Sequence, residues 1–214
     1  MQHVAMPEEV RTIRDPDSGL EGLIVLHSTA LGPAAGGCRL LHYEDASLMQ
    51  ADAFRLAEGM SYKNALAGLP MGGGKSVIRL PQGSFSRREL FRAFGRAVDA
   101  LGGRYITAED VGTCVEDMQA VSETTRFVAG LPSGADGPGG DPSPWTARGV
   151  FVAMQTSVRR HLAGELSDCV VAIQGLGHVG SSLARMLHEA GARLIVADIS
   201  EKNVSRVVAE TGAT

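Results

Sequence analysis

The sequence lacks the features that would tie it to a membrane, a metal or a nucleic acid. No run approaches the roughly 18 uninterrupted apolar residues that cross a bilayer, and residues 1–9 have neither the basic start nor the apolar stretch of a secretory leader. A cytoplasmic protein without membrane contact is expected. The three cysteines, Cys38, Cys114 and Cys169, are far apart, without the close pairing of a zinc site or the density of a disulfide framework. They read as reduced, small core residues. Six histidines show no metal-ligand spacing, so no metal is expected. A net charge of -4 gives no basic footprint for nucleic acid. No Gly-x-Ser-x-Gly elbow supports serine-hydrolase chemistry, and no internal repeat is visible.

What is present is the composition of an ordinary globular protein, 44% hydrophobic and 21% charged over 214 residues, enough for two domains. Residues 22–27 read as a buried strand. Residues 46–65 read as a helix, with Leu48, Ala51, Leu56, Ala57 and Met60 near the helical repeat. Residues 75–80 read as a strand fed by a turn at Gly72, Gly73 and Gly74. Ser86 and Glu89 form the pattern of a capping box, opening a helix to about Leu101. Residues 104–107 then read as a short strand that delivers Ala108, Glu109 and Asp110 to its end.

Glycine and proline crowd residues 130–144, which predicts the domain boundary: residues 1–133 as one domain and 134–214 as the other. Ser143 and Pro144 fit an N-cap and first position of a helix running to about Leu162. Beyond it, strand 169–173, a glycine turn, a helix to Ala190 and strand 193–197 alternate by type, and Asp198 follows. Gly175, Gly177 and Gly180 between the first strand and its helix, with an acid after the second strand, form the dinucleotide-binding arrangement. Gly175 serves the tight turn, Gly177 the approach of a pyrophosphate, and Gly180 close helix–strand packing. Asp198 is expected to accept hydrogen bonds from a ribose and to repel a 2′-phosphate, favouring NAD over NADP.

Lys63 and Lys75 carry the second signal. A bound α-carboxylate needs a fixed ammonium, and chemistry at an amine-bearing carbon needs a lysine able to lose its proton near neutral pH. A neighbouring cation and partial burial both push a lysine that way. Asp110 would complete the set as a proton relay. Each residue also has an ordinary reading: Lys63 as a solvated charge near a helix end, Asp110 as a cap for a helix starting near Cys114. Gly74, Lys75 and Ser76 imitate the end of a triphosphate-binding loop. However, Leu69 stands where that loop's first glycine belongs, and the segment precedes a strand instead of opening a helix. The three glycines fit better as a close backbone approach to a substrate.

In the segments LGPAAGGCR (31–39), GMSYKNA (59–65), MGGGK (71–75), GRYITAEDVGT (103–113) and PSPWTA (142–147), the chain resembles the glutamate, leucine, phenylalanine and valine dehydrogenase superfamily. It looks most like the leucine-, valine- and phenylalanine-acting members. The resemblance implies an α/β protein: a mixed α/β substrate and dimerisation domain, then the first part of a Rossmann-like doubly wound domain. It implies that Lys63 holds the substrate carboxylate, Lys75 is the catalytic lysine and Asp110 assists proton transfer. Gly36, Gly37, Ala35 and Ala108 would border the substrate, while Thr146 would join the glycine turn and Asp198 at the cofactor. The implied reaction is reversible, NAD-dependent oxidative deamination of an amino acid to a 2-oxo acid and ammonia by a homo-oligomer. Glutamate enzymes of the superfamily carry a lysine where Ala35 stands, so an apolar substrate of the leucine, valine or phenylalanine type is expected.

The chain departs from leucine-type relatives at Asp141, Cys38 and Trp145, where they carry asparagine, threonine and a smaller residue. It is also shorter than such relatives, which suggests a C-terminally truncated fragment that is itself inactive. The alternative is a non-catalytic remnant that oligomerises and binds nucleotide weakly or not at all.

Overall fold

The apolar run at 22–27 is the centre of a longer strand, β2 (Leu20–Ser28), which is central enough to be buried on both faces. It pairs antiparallel with β1 (Glu9–Asp15) and β4 (Gly72–Arg79). Between β4 and β5 (Tyr105–Glu109) lies β3 (Ala34–Leu41), parallel to both, giving a five-stranded mixed sheet in the order β1-β2-β4-β3-β5. The computed structural model describes residues 6–132 and 139–214, and the chain divides into two units, Met1–Asp141 and Pro142–Thr214. The boundary expected between residues 133 and 134 lies outside the described residues.

Alternation along β2 sends Leu23 and Val25 to one side of the first unit's sheet, and Ile24 and Leu26 to the other. The first side is covered by α1 (Ala46–Leu66), whose Met49, Ala53 and Ala57 pack on Val25 and Val77. Asp45 starts this helix by accepting from the amides of Ser47 and Leu48 at 2.8 and 2.9 Å. The second side is covered by α2 (Arg87–Asp99) and α3 (Val115–Ser122), through Leu90, Phe91, Phe94, Met118 and Val121.

Three local expectations in the first unit need correction. Gly72, Gly73 and Gly74 lie inside β4, not in a turn before it, because neighbouring groups leave no room for side chains there. A Cβ on Gly72 would meet the Ser28 carbonyl oxygen at 1.9 Å, and one on Gly73 would meet the Ser61 backbone nitrogen at 2.1 Å. Ser86 accepts from the Glu89 amide at 3.4 Å, but the Glu89 carboxylate lies 3.9 Å from Arg92. Of the expected box, the bond to the Ser86 side chain is the half the structure records. At α3 the N-terminal acceptor is Asp117, which takes the Cys114 amide at 2.8 Å, so Asp110 does not cap that helix.

The second unit contains α4 (Ser143–Leu162), a short 3-10 turn, β6 (Val170–Gln174), α5 (His178–Glu189), β7 (Arg193–Ala197) and α6 (Glu201–Thr211). Pro142 takes the cap position of α4, making Ser143 its first helical residue; Pro144 is tolerated in a first turn that needs no amide donors. β6 and β7 are parallel, in register from Val170↔Arg193 to Gln174↔Ala197. Their inward residues, including Ile173 and Leu194, pack with Leu187 of α5 and Val207 of α6. This strand–helix–strand unit is the start of a Rossmann-like domain following a mixed α/β domain. Among the described residues, no helix is long and apolar enough to cross a membrane, and no group of three His, Cys, Asp or Glu residues is placed to hold a metal.

Candidate active site

Lys75 is the fourth residue of β4. It pairs opposite Val25, and strand alternation puts it on the α1 side with Val77. It is only 4% exposed, with Nζ 2.8 Å from Asp110 Oδ2. Asp110 stands one residue beyond β5. Thr113 Oγ1 accepts from its amide at 2.9 Å and also contacts the Cys38 carbonyl at 3.0 Å, tying the end of β5 to β3.

Asp110 Oδ2 also accepts from Arg39 Nε at 2.9 Å. Arg39 in turn donates through Nη1 to Asp52 Oδ2 at 3.1 Å, and the Tyr43 hydroxyl donates to the same oxygen at 2.8 Å. Sequence reading assigned no role to Arg39. Its signal is a cation inside a strand otherwise made of small and apolar residues.

Burial is the largest influence on Lys75 and lowers its pKa; hydrogen bonding and charge from Asp110 oppose it, and Arg39 adds to the lowering, so the result lies below a lysine's ordinary value. For Asp110 burial again is largest, and works upward. The hydrogen bonds and charges of Lys75 and Arg39 together outweigh it and hold the carboxyl below its ordinary range. The site therefore pairs a firm carboxylate with an ammonium that gives up its proton more readily than a free lysine. Burial and Arg39 supply the effect expected from Lys63, because the last turn of α1 turns Lys63 outward, where it is exposed.

The neighbour of Lys63 points the other way. Asn64 is 5% exposed and donates to the Gly72 carbonyl at 2.6 Å and the Ala35 carbonyl at 3.4 Å, fixing the end of α1 to β3 and β4. Gly36 and Gly37 occupy the middle of β3, where pairing with β4 lapses between Ala35↔Gly73 and Cys38↔Ser76. Tyr105 donates to the Gly36 carbonyl at 2.7 Å and lies 3.0 Å from Ser76 Oγ. A Cβ on Gly36 would lie 1.8 Å from the Gly74 oxygen, and one on Gly37 would lie 2.7 Å from Asp110 Cβ. Both glycines are thus required by packing before any ligand is considered. Ala108 pairs with Gly37, and Ala35 with Ile106.

In the second unit, Gly175 has φ +93°, the left-handed conformation that suits glycine in a tight turn. A Cβ on Gly180 would lie 1.9 Å from the Gly175 oxygen, so α5 approaches the turn as closely as backbone permits, while nothing lies within 4 Å of one on Gly177. Asp198, just past β7, accepts from the amides of Leu176 and Ser200. These bonds, Leu176 first, hold its carboxyl below the ordinary range. Gln174, Gly175, Ala197, Asp198 and Ile199 line an open groove of about 580 Å³. Arg206, which the sequence did not single out, donates to Ser181 Oγ at 2.9 Å, and Ser181 donates to the Leu176 carbonyl at 2.7 Å, bracing the turn from α6. Thr146 is exposed on α4, its hydroxyl donating to the Pro142 carbonyl at 3.0 Å.

Comparison with known proteins decides the family. Residues 7–127 match the model for the Glu/Leu/Phe/Val dehydrogenase dimerisation domain, and residues 141–210 match the model for glutamate/leucine/phenylalanine/valine dehydrogenase. The chain belongs to the Glu/Leu/Phe/Val dehydrogenase family. It is 47% identical over 207 residues to leucine dehydrogenase of Bacillus subtilis (strain 168), covering 96% of this chain and 57% of that one. It is 45% identical over 201 residues to valine dehydrogenase of Streptomyces virginiae, covering 93% and 56%. The crystal structure of L-tryptophan dehydrogenase from Nostoc punctiforme superposes with a TM-score of 0.68 at 35% identity, covering 100% of this chain and 59% of that one. The chain thus spans little more than half the length of these family members.

Proposed function

We propose that the protein carrying this chain catalyses reversible, NAD-dependent oxidative deamination of an apolar L-amino acid to the 2-oxo acid and ammonia. The observation that carries this reading is the buried Lys75–Asp110 contact of 2.8 Å in a chain of this family. Exposed Lys63 holds the substrate carboxylate as an ion pair. Lys75, its proton loosened by burial, takes a proton from the water that adds to the iminium carbon, and Asp110 relays protons to and from the nitrogen as the carbinolamine collapses and ammonia leaves. Ala35 and Ala108 present methyl groups where a polar side chain would need a partner, which supports a leucine-, valine- or phenylalanine-type substrate.

The second unit suits a dinucleotide. The amides at the start of α5 are not crowded by a side chain at Gly177, which leaves a phosphate room to approach them, and Asp198 presents a carboxylate beside the groove. Gly175, Gly177, Gly180, Asp198 and Thr146 would hold NAD, which when bound accepts the hydride from the substrate α-carbon. The charge on Asp198 disfavours the extra phosphate of NADP. The match of residues 7–127 to a dimerisation domain supports a homo-oligomer formed through the first unit.

The test is NADH formation with L-leucine, L-valine and L-phenylalanine, by this chain joined to the portion of the Bacillus subtilis leucine dehydrogenase that it does not match. Turnover of at least one of them is expected. A folded fusion that binds NAD and turns over none of the three would favour the non-catalytic reading.

A further inference from the structure

We propose that Arg39 is a positioning residue for the Lys75–Asp110 pair: anchored on Asp52, it shares Asp110 Oδ2 with Lys75 and so weakens the carboxylate's hold on the lysine's proton. The inference rests on Lys75 as the group that does the amine chemistry. Its basis is the convergence of two cations on one oxygen, Nζ at 2.8 Å and Nε at 2.9 Å. Arg39 is held from behind by Asp52, whose side chain is 13% exposed and which also takes the Tyr43 hydroxyl and, at its rim, Arg55 at 3.0 Å. The rigid, planar guanidinium presents separate nitrogens to the two carboxylates, Nε to Asp110 and Nη1 to Asp52, so its position is fixed from both ends.

Lys75 is the one cation of the cluster whose hold on its proton is loosened, burial being the largest cause. Arginine stays charged. Desolvation pushes the Tyr43 phenol up, as does Asp52, and burial pushes the Cys38 thiol, whose charge would also act on Lys75, up to about 12. Asp52 and Asp110 remain carboxylates, each below its ordinary value because cation and hydroxyl partners outweigh burial. Lys75 is therefore the group at which an effect of Arg39 on proton affinity is read.

A merely structural Arg39 and a charge-sharing Arg39 predict opposite signs. If Arg39 only held the loop after β5, its loss would free Asp110 to swing away, and Lys75 would lose its anion and titrate lower. If Arg39 shares Oδ2, its loss gives that oxygen wholly to Lys75 and removes a repelling cation, so Lys75 titrates higher.

The chain has only three lysines, Lys63, Lys75 and Lys202, so labelling lysine Cε with ¹³C gives three NMR titrations, with Lys75 assigned by the signal lost in Lys75→Arg. Arg39→Gln is expected to raise the Lys75 midpoint and Arg39→Lys to raise it less. Each unit of rise cuts the unprotonated fraction near neutral pH about tenfold. If Arg39→Gln does not fold, Arg39→Lys is read by the same criterion. An unchanged or lowered midpoint overturns the proposal. The titration needs no turnover, so failure of the deamination reading would leave its result legible.

Discussion

Gly73 and Ser61 stand so close that a methyl group on the glycine would lie 2.1 Å from the serine backbone nitrogen. This contact seats the last turns of α1, which carry Lys63 and Asn64, directly on the strand that carries Lys75. Gly73→Ala must push the helix off β4, an overpacking cost of about 1–3 kcal/mol. Gly59→Ala, in the same helix but with nothing within 4 Å, should instead gain up to about 1 kcal/mol from helix propensity. Urea denaturation of both variants tests this, and equal midpoints would show that α1 has slack over β4.

The fold was legible where the determinant is local. The pattern and cap of α2, the glycine turn before α5 and the alternating strands of the second unit all announce themselves in sequence. β3 does not, because Gly36 and Gly37 have poor strand propensity and their presence is dictated by the Gly74 carbonyl and by Asp110, distant in sequence. For the same reason Gly72, Gly73 and Gly74 read as a turn when they are a strand under a helix. At the candidate site, residue chemistry singled out Lys75 and Asp110, which the fold brings into contact. Arg39, Asn64 and Arg206 were missed because each acts through a tertiary hydrogen bond that no spacing encodes.

Asp198 accepts from the Leu176 and Ser200 amides, so it has a structural duty besides the one proposed at the ribose. Asp198→Ala should speed hydrogen exchange at both amides and lower the preference for NAD over NADP; Asp198→Asn, which keeps an acceptor, should shift the preference with less effect on exchange. Amide exchange and the ratio of dissociation constants measure the two effects. An unchanged ratio in both variants would remove Asp198 from cofactor selection.

Acid stability should depend on Glu9. Hydrogen bonds from Arg104 and then Arg11 lower its pKa from 4.5 to about 2. Because the folded value lies below the unfolded one, this contribution is fully present above pH 4.5 and is lost as pH falls toward 2. Denaturation midpoints across that window should fall less steeply in Glu9→Gln than in the native chain. Parallel profiles would show that the contacts do not survive in solution.

The central claim is that Lys75 performs the amine chemistry while Lys63 holds the carboxylate, and the two roles separate kinetically. In the active fusion, steady-state NADH formation with the best of the three amino acids gives kcat and KM for the native protein, Lys75→Ala and Lys63→Ala. Loss of a general base predicts a fall in kcat of about 10²–10⁴ for Lys75→Ala, whereas loss of an ion pair made equally in ground and transition states predicts mainly a raised KM for Lys63→Ala. A Lys75→Ala protein that folds and turns over at a near-native kcat would contradict the account.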